Sequence, residues 1–153
     1  MATVRKTAEA VWSGGFVDGI GTVERGSGRG AEPIGWRDRI ADGPTGATPE
    51  ELLAAAHAGS FAMALAQVLA EDGTPAQRLV VSAACVLEVD ARLHAARIEA
   101  VEIEASVQAP GLEPGALDAV VAHAAAACQV SAALRGDVRI VTAAAVVPPP
   151  RAG

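Results

Sequence analysis

Aromatic residues are scarce in this sequence. They make up 3% of the chain and tyrosine is absent, although apolar residues as a whole reach 51%. A hydrophobic core must therefore be built from alanine, valine, leucine and isoleucine, whose small side chains each bury little area. Charged residues account for only 20% of the 153 positions. Because so few charges are available to cover the surface, we expect part of that surface to be buried in an oligomer.

Cysteines and basic residues are also few. Two cysteines cannot form the disulfide framework of a small secreted domain. The 12 basic residues are outnumbered by 18 acidic ones, and the net charge of −6 disfavours binding to nucleic acid or to an anionic membrane surface. Residues 1–11 lack the apolar core of a signal peptide, and no His, Cys or Asp pair has metal-ligand spacing. These features predict a cytoplasmic protein with no metal and no cofactor.

The longest apolar stretch, residues 52–70, has the signals of a helix. Thr48 is a favourable N-cap, Pro49 suits the first helical position, and Glu51 completes a capping box. The helix is expected to end near Glu71. Its length would allow it to cross a membrane, but the capping box and the absence of a basic flank favour a buried helix of a soluble protein.

The other elements follow from alternation and from turn residues. Residues 3–12 and 16–25 predict a β-hairpin. The pattern then predicts a loop over 26–33, a short extended segment over 34–41 and a turn over 42–46. After the first helix it predicts two long strands over 77–89 and 92–107, a second helix over 113–134 and a last strand over 137–147. Strands grouped around two helices indicate an α+β fold with antiparallel sheet. We expect one domain over residues 1–147 and a flexible tail over 148–153.

Three segments carry a shared pattern. The first runs from the Pro-Glu-Glu-Leu helix start through Ser60-Phe61; the second is Cys128-Gln129-Val130-Ser131; the third is Trp36-Arg37-Asp38-Arg39. Together with the early Val-Trp-Ser-Gly-Gly, they resemble the OsmC/Ohr family of thiol peroxidases in the right order over nearly the whole chain. The resemblance implies two central helices, curved sheets and an intertwined homodimer. It also implies reduction of organic hydroperoxides, with a dithiol or a lipoyl-bearing protein as reductant.

The resemblance assigns a role to three residues around the attacking thiol. Arg39 would lower the pKa of the peroxide-attacking thiol, because a guanidinium remains charged and donates several hydrogen bonds. Glu50 would hold Arg39 through a bidentate pair. Cys128 would be the resolving thiol that captures the sulfenic acid. In the homodimer, Arg39 of one subunit would reach the active helix of the other.

Two positions depart from the family pattern. Ser60 stands where the family has its peroxide-attacking cysteine, and Gln129 replaces a proline. A serine hydroxyl is not ionised near neutral pH, so we expect the chain as written to have little or no peroxidase activity. Ser60 is either an engineered near-isostere or a natural residue. In the second case the alternative function is a non-catalytic protein that binds a small, lipid-like molecule on the same scaffold.

Each candidate also has a purely structural interpretation. Without the resemblance, Arg39 and Glu50 would be an ordinary surface pair, and Cys128 would be a small buried apolar residue. Three further residues near Ser60, namely His57, Phe61 and Met63, are expected to line the substrate pocket or to pack in the core. A Ser-His-Glu hydrolase is disfavoured, because three residues along one helix cannot surround a substrate. Cys85 lies in an apolar strand and is expected to be structural.

Overall fold

The computed structural model describes residues 1–41 and 46–148. The tip of the predicted turn, residues 42–45, and most of the predicted tail, residues 149–153, lie outside these ranges. The described chain forms two three-stranded sheets with strand orders β1-β2-β3 and β4-β5-β6. The elements in order are β1 Ala8–Ser13, β2 Ile20–Arg25, β3 Ala31–Ile34, α1 Trp36–Ile40, α2 Pro49–Glu71, β4 Arg78–Asp90, β5 Ala95–Gln108, α3 Leu117–Ala127, α4 Gln129–Leu134 and β6 Arg139–Val146.

The first sheet begins with the predicted hairpin. β1 and β2 pair antiparallel, with Ser13 opposite Ile20, which confirms the hairpin. The predicted loop over 26–33 was wrong at its end, because residues from Ala31 onward pair with β2 as β3. Pro33 is compatible with this strand, since an outer strand can lack one N–H donor. The first sheet is largely exposed and makes few contacts with the helices.

The segment after β3 was predicted to be extended, and this prediction was wrong. It forms the short helix α1, in which Trp36 is buried. Trp36 and Ile40 are four residues apart, which is a helical spacing. A segment of 5 residues is too short for one such spacing to distinguish a helix from a strand. The helix is held in place from outside, because the Gly46 N–H donates to Asp38 Oδ1 at 3.1 Å. This hydrogen bond holds α1, which carries Arg39, close to the chain that leads into α2.

The predicted long helix is confirmed as α2, with the full capping box between Thr48 and Glu51. Gly73 follows its end with a φ of +77°, a conformation that glycine adopts readily. By length and composition alone, α2 is long and apolar enough to cross a membrane. It is nevertheless the central helix, and its residues Phe61, Leu65 and Leu69 are among the most buried side chains in the core. The structure therefore uses it as a core helix.

The second sheet packs on α2 and α3 and completes the core. β4 and β5 form the predicted antiparallel pair, but β6 pairs with β5 in parallel, so the sheet is mixed rather than antiparallel. A parallel neighbour requires a long crossover, which α3 and α4 provide. The predicted second helix was wrong in one respect. It is broken at Cys128, whose ψ of 117° is extended, and α4 starts at the next residue.

Candidate active site

Arg39 and Glu50 form the bidentate pair that the sequence predicted. Arg39 Nε donates to Glu50 Oε2 at 3.1 Å, and Arg39 Nη2 lies 2.9 Å from Glu50 Oε1. The Arg39 side chain is 26% exposed and that of Glu50 is 10% exposed. Two parallel hydrogen bonds fix the plane of the guanidinium. The Arg39 Cζ atom also lies 5.7 Å from the centre of the Trp36 ring, a cation–π contact that further restricts it.

Ser60 and Cys128 form a second pair. Cys128 Sγ donates to Ser60 Oγ across 3.3 Å, between α2 and the junction of α3 with α4. Ser60 is partly exposed, whereas Cys128 is 1% exposed. Gln129 occupies the first position of α4, where a proline is also favourable. The residue that departs from the family pattern there is therefore compatible with the start of α4.

A buried hydrogen bond lies beneath this pair. His57 Nε2 and Ser131 Oγ are 2.7 Å apart, and their exposed fractions are 0% and 3%. Burial lowers the pKa of His57, which favours the neutral ring. Phe61, the next turn of α2, is buried in the core beside it, whereas Met63 is exposed and lines a cavity with Ser60.

The surroundings of the Cys128 thiol lower its pKa despite its burial. Burial alone raises its pKa, but hydrogen bonding of the sulfur with the Ser131 and Ser60 hydroxyls, and then with the backbone of Ser131 and Val130, lowers it and outweighs burial. The net effect lowers the pKa of Cys128. Cys85 is the opposite case, because burial and then the negative charge of Glu50 raise its pKa. Of the two cysteines, Cys128 is therefore the one that ionises more readily.

Within one chain the two pairs are separate. Glu50 lies at the start of α2 and Ser60 ten residues further along the same helix. At 1.5 Å per residue, this spacing corresponds to roughly 15 Å. Arg39 paired with Glu50 therefore does not contact Ser60 of its own chain. The structure brings together Arg39 with Glu50 and Ser60 with Cys128, but not the four residues as one group.

Arg39 lies between two cavities of different character. A polar cavity of about 340 Å³ is lined by Arg39, Glu50 and Cys85, among others. An aromatic cavity of about 350 Å³ is lined by Trp12, Phe16, Ile34, Gly35, Trp36, Arg39 and Pro49. A third cavity, of about 510 Å³, contains Ser60, Met63 and Gln129 in its wall. In the described ranges, no three His, Cys, Asp or Glu side chains cluster as metal ligands.

Two features of the site were not predicted from the sequence. One is the aromatic cavity, in which the rings of Phe16 and Trp36 are 4.8 Å apart. The clustering of the aromatic residues could have predicted this cavity, since Trp12, Phe16 and Trp36 are close together in a chain that contains few aromatic residues. The other is the pairing of His57 with Ser131. These residues are 74 positions apart, so no local pattern connects them.

The sequence and the fold of this chain are similar to those of known proteins. Residues 41–143 match the family model described as OsmC-like protein. Peroxiredoxin OsmC of Escherichia coli strain K12 is 34% identical over 140 residues, which are 90% of this chain and 95% of that protein. Two crystal structures share the fold, both of organic hydroperoxide resistance proteins. One, from Elizabethkingia anophelis, has a TM-score of 0.74 at 21% identity and covers 96% of this chain and 100% of its own.

The other is OhrB of Bacillus subtilis, with a TM-score of 0.67 at 24% identity, covering 91% of this chain and 98% of its own. At these identities the two structures establish the fold alone. The family match spans most of the chain, however, and the E. coli relative aligns over nearly its whole length. The α+β fold with two packed central helices agrees with both. The chain therefore belongs to the OsmC-like family, the OsmC/Ohr group of peroxiredoxins.

Proposed function

We propose that this chain is an OsmC/Ohr-type hydroperoxide reductase in which Ser60 occupies the position of the peroxide-attacking cysteine. The observation that supports this most directly is the 3.3 Å contact between Ser60 Oγ and Cys128 Sγ. It supports the proposal because a sulfur in place of that hydroxyl would lie within reach of Cys128 as the resolving thiol. A serine in this position removes the nucleophile and leaves the surroundings intact. The chain as written then lacks hydroperoxide reductase activity.

The chemistry of the two side chains explains the loss. A thiolate is a polarisable nucleophile that attacks the weak O–O bond, and a cationic neighbour can lower a thiol pKa enough to produce it at neutral pH. A serine hydroxyl requires a general base to become nucleophilic. In this chain the Ser60 hydroxyl contacts a thiol rather than a base. Neither the charge of Arg39 nor that contact supplies the missing reactivity.

A homodimer would unite the two pairs. The folded chain exposes 10153 Å² for a mass of 15.3 kDa, whereas a compact monomer of this mass exposes roughly 7,000 Å². The excess of about 3,000 Å² is on the scale of an obligate subunit interface. Apolar side chains of the first hairpin, from β1 through its turn to β2, are exposed, including Val11, Trp12, Phe16, Val17 and Ile20. In the proposed dimer this surface is covered, and Arg39 of one subunit faces Ser60 of the other.

The position of Arg39 suits an organic hydroperoxide. Its guanidinium borders both the polar cavity with Glu50 and the aromatic cavity with Phe16 and Trp36. A ligand with a polar peroxide group and an apolar body could place the first against Arg39 and the second against the rings. In the proposed dimer, the pocket for the organic group is therefore this aromatic cavity of one subunit together with Met63 of the other, which lies on the surface near Ser60. His57 and Phe61 support it from the core.

The restored reaction is written for the S60C variant. Its thiolate attacks one peroxide oxygen, the S–O bond forms as the O–O bond breaks, and the alkoxide takes up a proton and leaves as the alcohol. The sulfur, now a sulfenic acid, is attacked by the Cys128 thiolate, which forms a disulfide and releases water. A dithiol or a lipoyl-bearing protein then reduces the disulfide by two exchange steps. A cycle that needs such a reductant fits the cytoplasm.

The test compares three proteins: the unmodified chain, S60C, and S60A. Consumption of cumene hydroperoxide is measured with dithiothreitol as reductant. We expect S60C to exceed the other two by at least about 100-fold in kcat/KM, because it alone has the nucleophile. If a folded S60C remains as inactive as S60A, the proposed peroxidase site is wrong. Native mass spectrometry of the unmodified chain would then test the alternative of a non-catalytic protein that retains a small apolar ligand.

A further inference from the structure

The turn between β4 and β5 brings His94 to the aromatic cavity. The centre of the His94 ring lies 6.3 Å from that of Phe16 and 6.2 Å from that of Trp36, with interplanar angles of 80° and 78°. Phe16 and Trp36 are themselves 4.8 Å apart and line the cavity. All three distances are typical of favourable aromatic pairs, for which an edge-on arrangement is a preferred geometry. The three rings therefore form one cluster, and two of its members line the cavity.

The backbone of this turn is ordered by its own hydrogen bonds. Asp90 Oδ1 accepts from the N–H of Arg92 at 2.9 Å and from the N–H of Leu93 at 3.1 Å. His94 follows with a φ of +48°, in the left-handed region that residues with a side chain adopt infrequently. Glycine would adopt this conformation more readily, but it has no ring to contribute. The turn therefore presents the imidazole from a hydrogen-bonded backbone.

The cluster joins parts of the chain that otherwise contact one another little. Phe16 lies in the turn of the first hairpin, Trp36 in α1, and His94 in the turn of the second sheet. Among the described residues, no strand of the first sheet packs extensively on a strand of the second. Phe16 is 53% exposed, whereas Trp36 is 5% exposed. Because an exposed side chain changes rotamer rapidly unless its neighbours restrain it, the contacts of His94 and Trp36 limit the motion of Phe16.

We propose that His94 is a positioning residue that gives the aromatic cavity its specificity for a single aryl ring. It holds Phe16 and Trp36 in one arrangement, while Arg39 at the border of the cavity receives the polar group of the ligand. A wall that is already ordered loses less entropy when a flat, compact group binds. The volume of about 350 Å³ is near the lower limit for small-molecule sites, which suits one ring better than a long chain.

The inference rests on the proposed function and deepens it by naming the class of organic group. Its test uses intrinsic fluorescence and needs no peroxide chemistry. The chain contains two tryptophans and no tyrosine. Both tryptophans line the aromatic cavity, so the emission reports on this site. The unmodified chain is titrated with 2-phenyl-2-propanol, the alcohol formed from cumene hydroperoxide, and with 1-hexanol, a flexible alcohol without a ring.

Three variants accompany the unmodified chain. H94A removes the ring, and H94F replaces it with another aromatic ring. H123A is the matched control, because His123 is an exposed histidine on α3. Thermal unfolding by circular dichroism verifies that each variant is folded. If H94A does not fold, H94Q takes its place, since it also lacks the ring.

We expect the unmodified chain to bind 2-phenyl-2-propanol more tightly than 1-hexanol. H94A should weaken binding of the aryl alcohol about fivefold, the scale of one aromatic pair, and that of 1-hexanol by less than about twofold. H94F should restore the preference, and H123A should match the unmodified chain. In the S60C protein, H94A should raise KM for cumene hydroperoxide about fivefold with little change in kcat, because it removes ground-state binding. KM for n-hexyl hydroperoxide should stay the same.

Three results would overturn the inference: an unmodified chain without preference for the aryl alcohol, equal weakening of both alcohols in H94A, or an H94F protein that does not regain the preference. The proposed reductase fails by a different result. An inactive S60C protein with an aryl preference that depends on His94 would refute the peroxidase site and support this inference. An active S60C protein whose selectivity is the same with and without H94A would do the reverse.

Discussion

Ser60 Oγ and Cys128 Sγ are in hydrogen-bond contact at 3.3 Å, although 68 positions separate them in the chain. A sulfur in place of that oxygen would need only a small approach to reach the 2.0 Å of a disulfide. We therefore expect S60C/C85S, treated with one equivalent of cumene hydroperoxide, to form an intramolecular disulfide with Cys128. Mass spectrometry after thiol labelling would show no free thiol. S60C/C85S/C128A should instead stop at the sulfenic acid, and a disulfide between subunits in the first protein would contradict the geometry.

The separation of Arg39 from Ser60 within one chain leads to a complementation prediction. S60C/R39Q should lose about 100-fold in kcat/KM relative to S60C, because the thiolate loses its cation. Coexpression of S60C/R39Q with the unmodified chain should restore activity in mixed dimers, since the unmodified subunit supplies Arg39. Coexpression with R39Q alone provides the control and should restore nothing. Absence of rescue in verified mixed dimers would place Arg39 in the active site of its own chain.

The bidentate pair between Arg39 and Glu50 should also contribute to stability. E50Q leaves a guanidinium that is largely buried with only one neutral acceptor. Because the pair is partly exposed, we expect a loss of about 1–2 kcal/mol in the free energy of unfolding, between the values for surface and buried pairs. The matched control is E32Q, which breaks the exposed pair with Arg25 and should cost under about 1 kcal/mol. Urea unfolding measures both, and equal losses would mean that the burial of Glu50 is unimportant.

His57 should make stability depend on pH. Its pKa is lowered in the folded chain, so the unfolded chain binds a proton more readily below about pH 6.5. Stability from the neutral ring is therefore fully present above that value and is lost as pH falls from it toward the folded pKa. We expect the difference in unfolding free energy between pH 7.5 and 5.5 to be smaller in H57Q than in the unmodified chain. H123Q should leave it unchanged, and an unchanged difference in H57Q would argue against a neutral buried ring.

Local signals in the sequence were sufficient for most of the elements. The capping box of Thr48 with Glu51 marked the start of α2, and the expected end near Glu71 agrees with the structure. Predictions failed where distant parts of the chain decide the structure. α1 is stabilised by burial of Trp36 against Phe16 and by the contact of Asp38 with Gly46. No window of the sequence around residues 34–41 contains those partners.

The candidate site divides in the same way. The pair of Arg39 with Glu50 and the contact of Ser60 with Cys128 were expected from the family resemblance, and the structure contains both. The break at Cys128 was missed, because the helical pattern continues through it and only the backbone conformation shows the interruption. His57 was expected near the pocket, but its bond to Ser131 depends on how α2 packs against α4.

The parallel pairing of β6 with β5 bears on how the chain is made. Residues 109–138 must be synthesised and folded across the sheet before residues 139–146 can dock. Until then, one edge of β5 presents unpaired N–H and C=O groups beside Val101, Ile103 and Val107. Such an open edge can recruit another strand. Nascent chains halted before residue 139 should therefore be the species most prone to aggregate during translation.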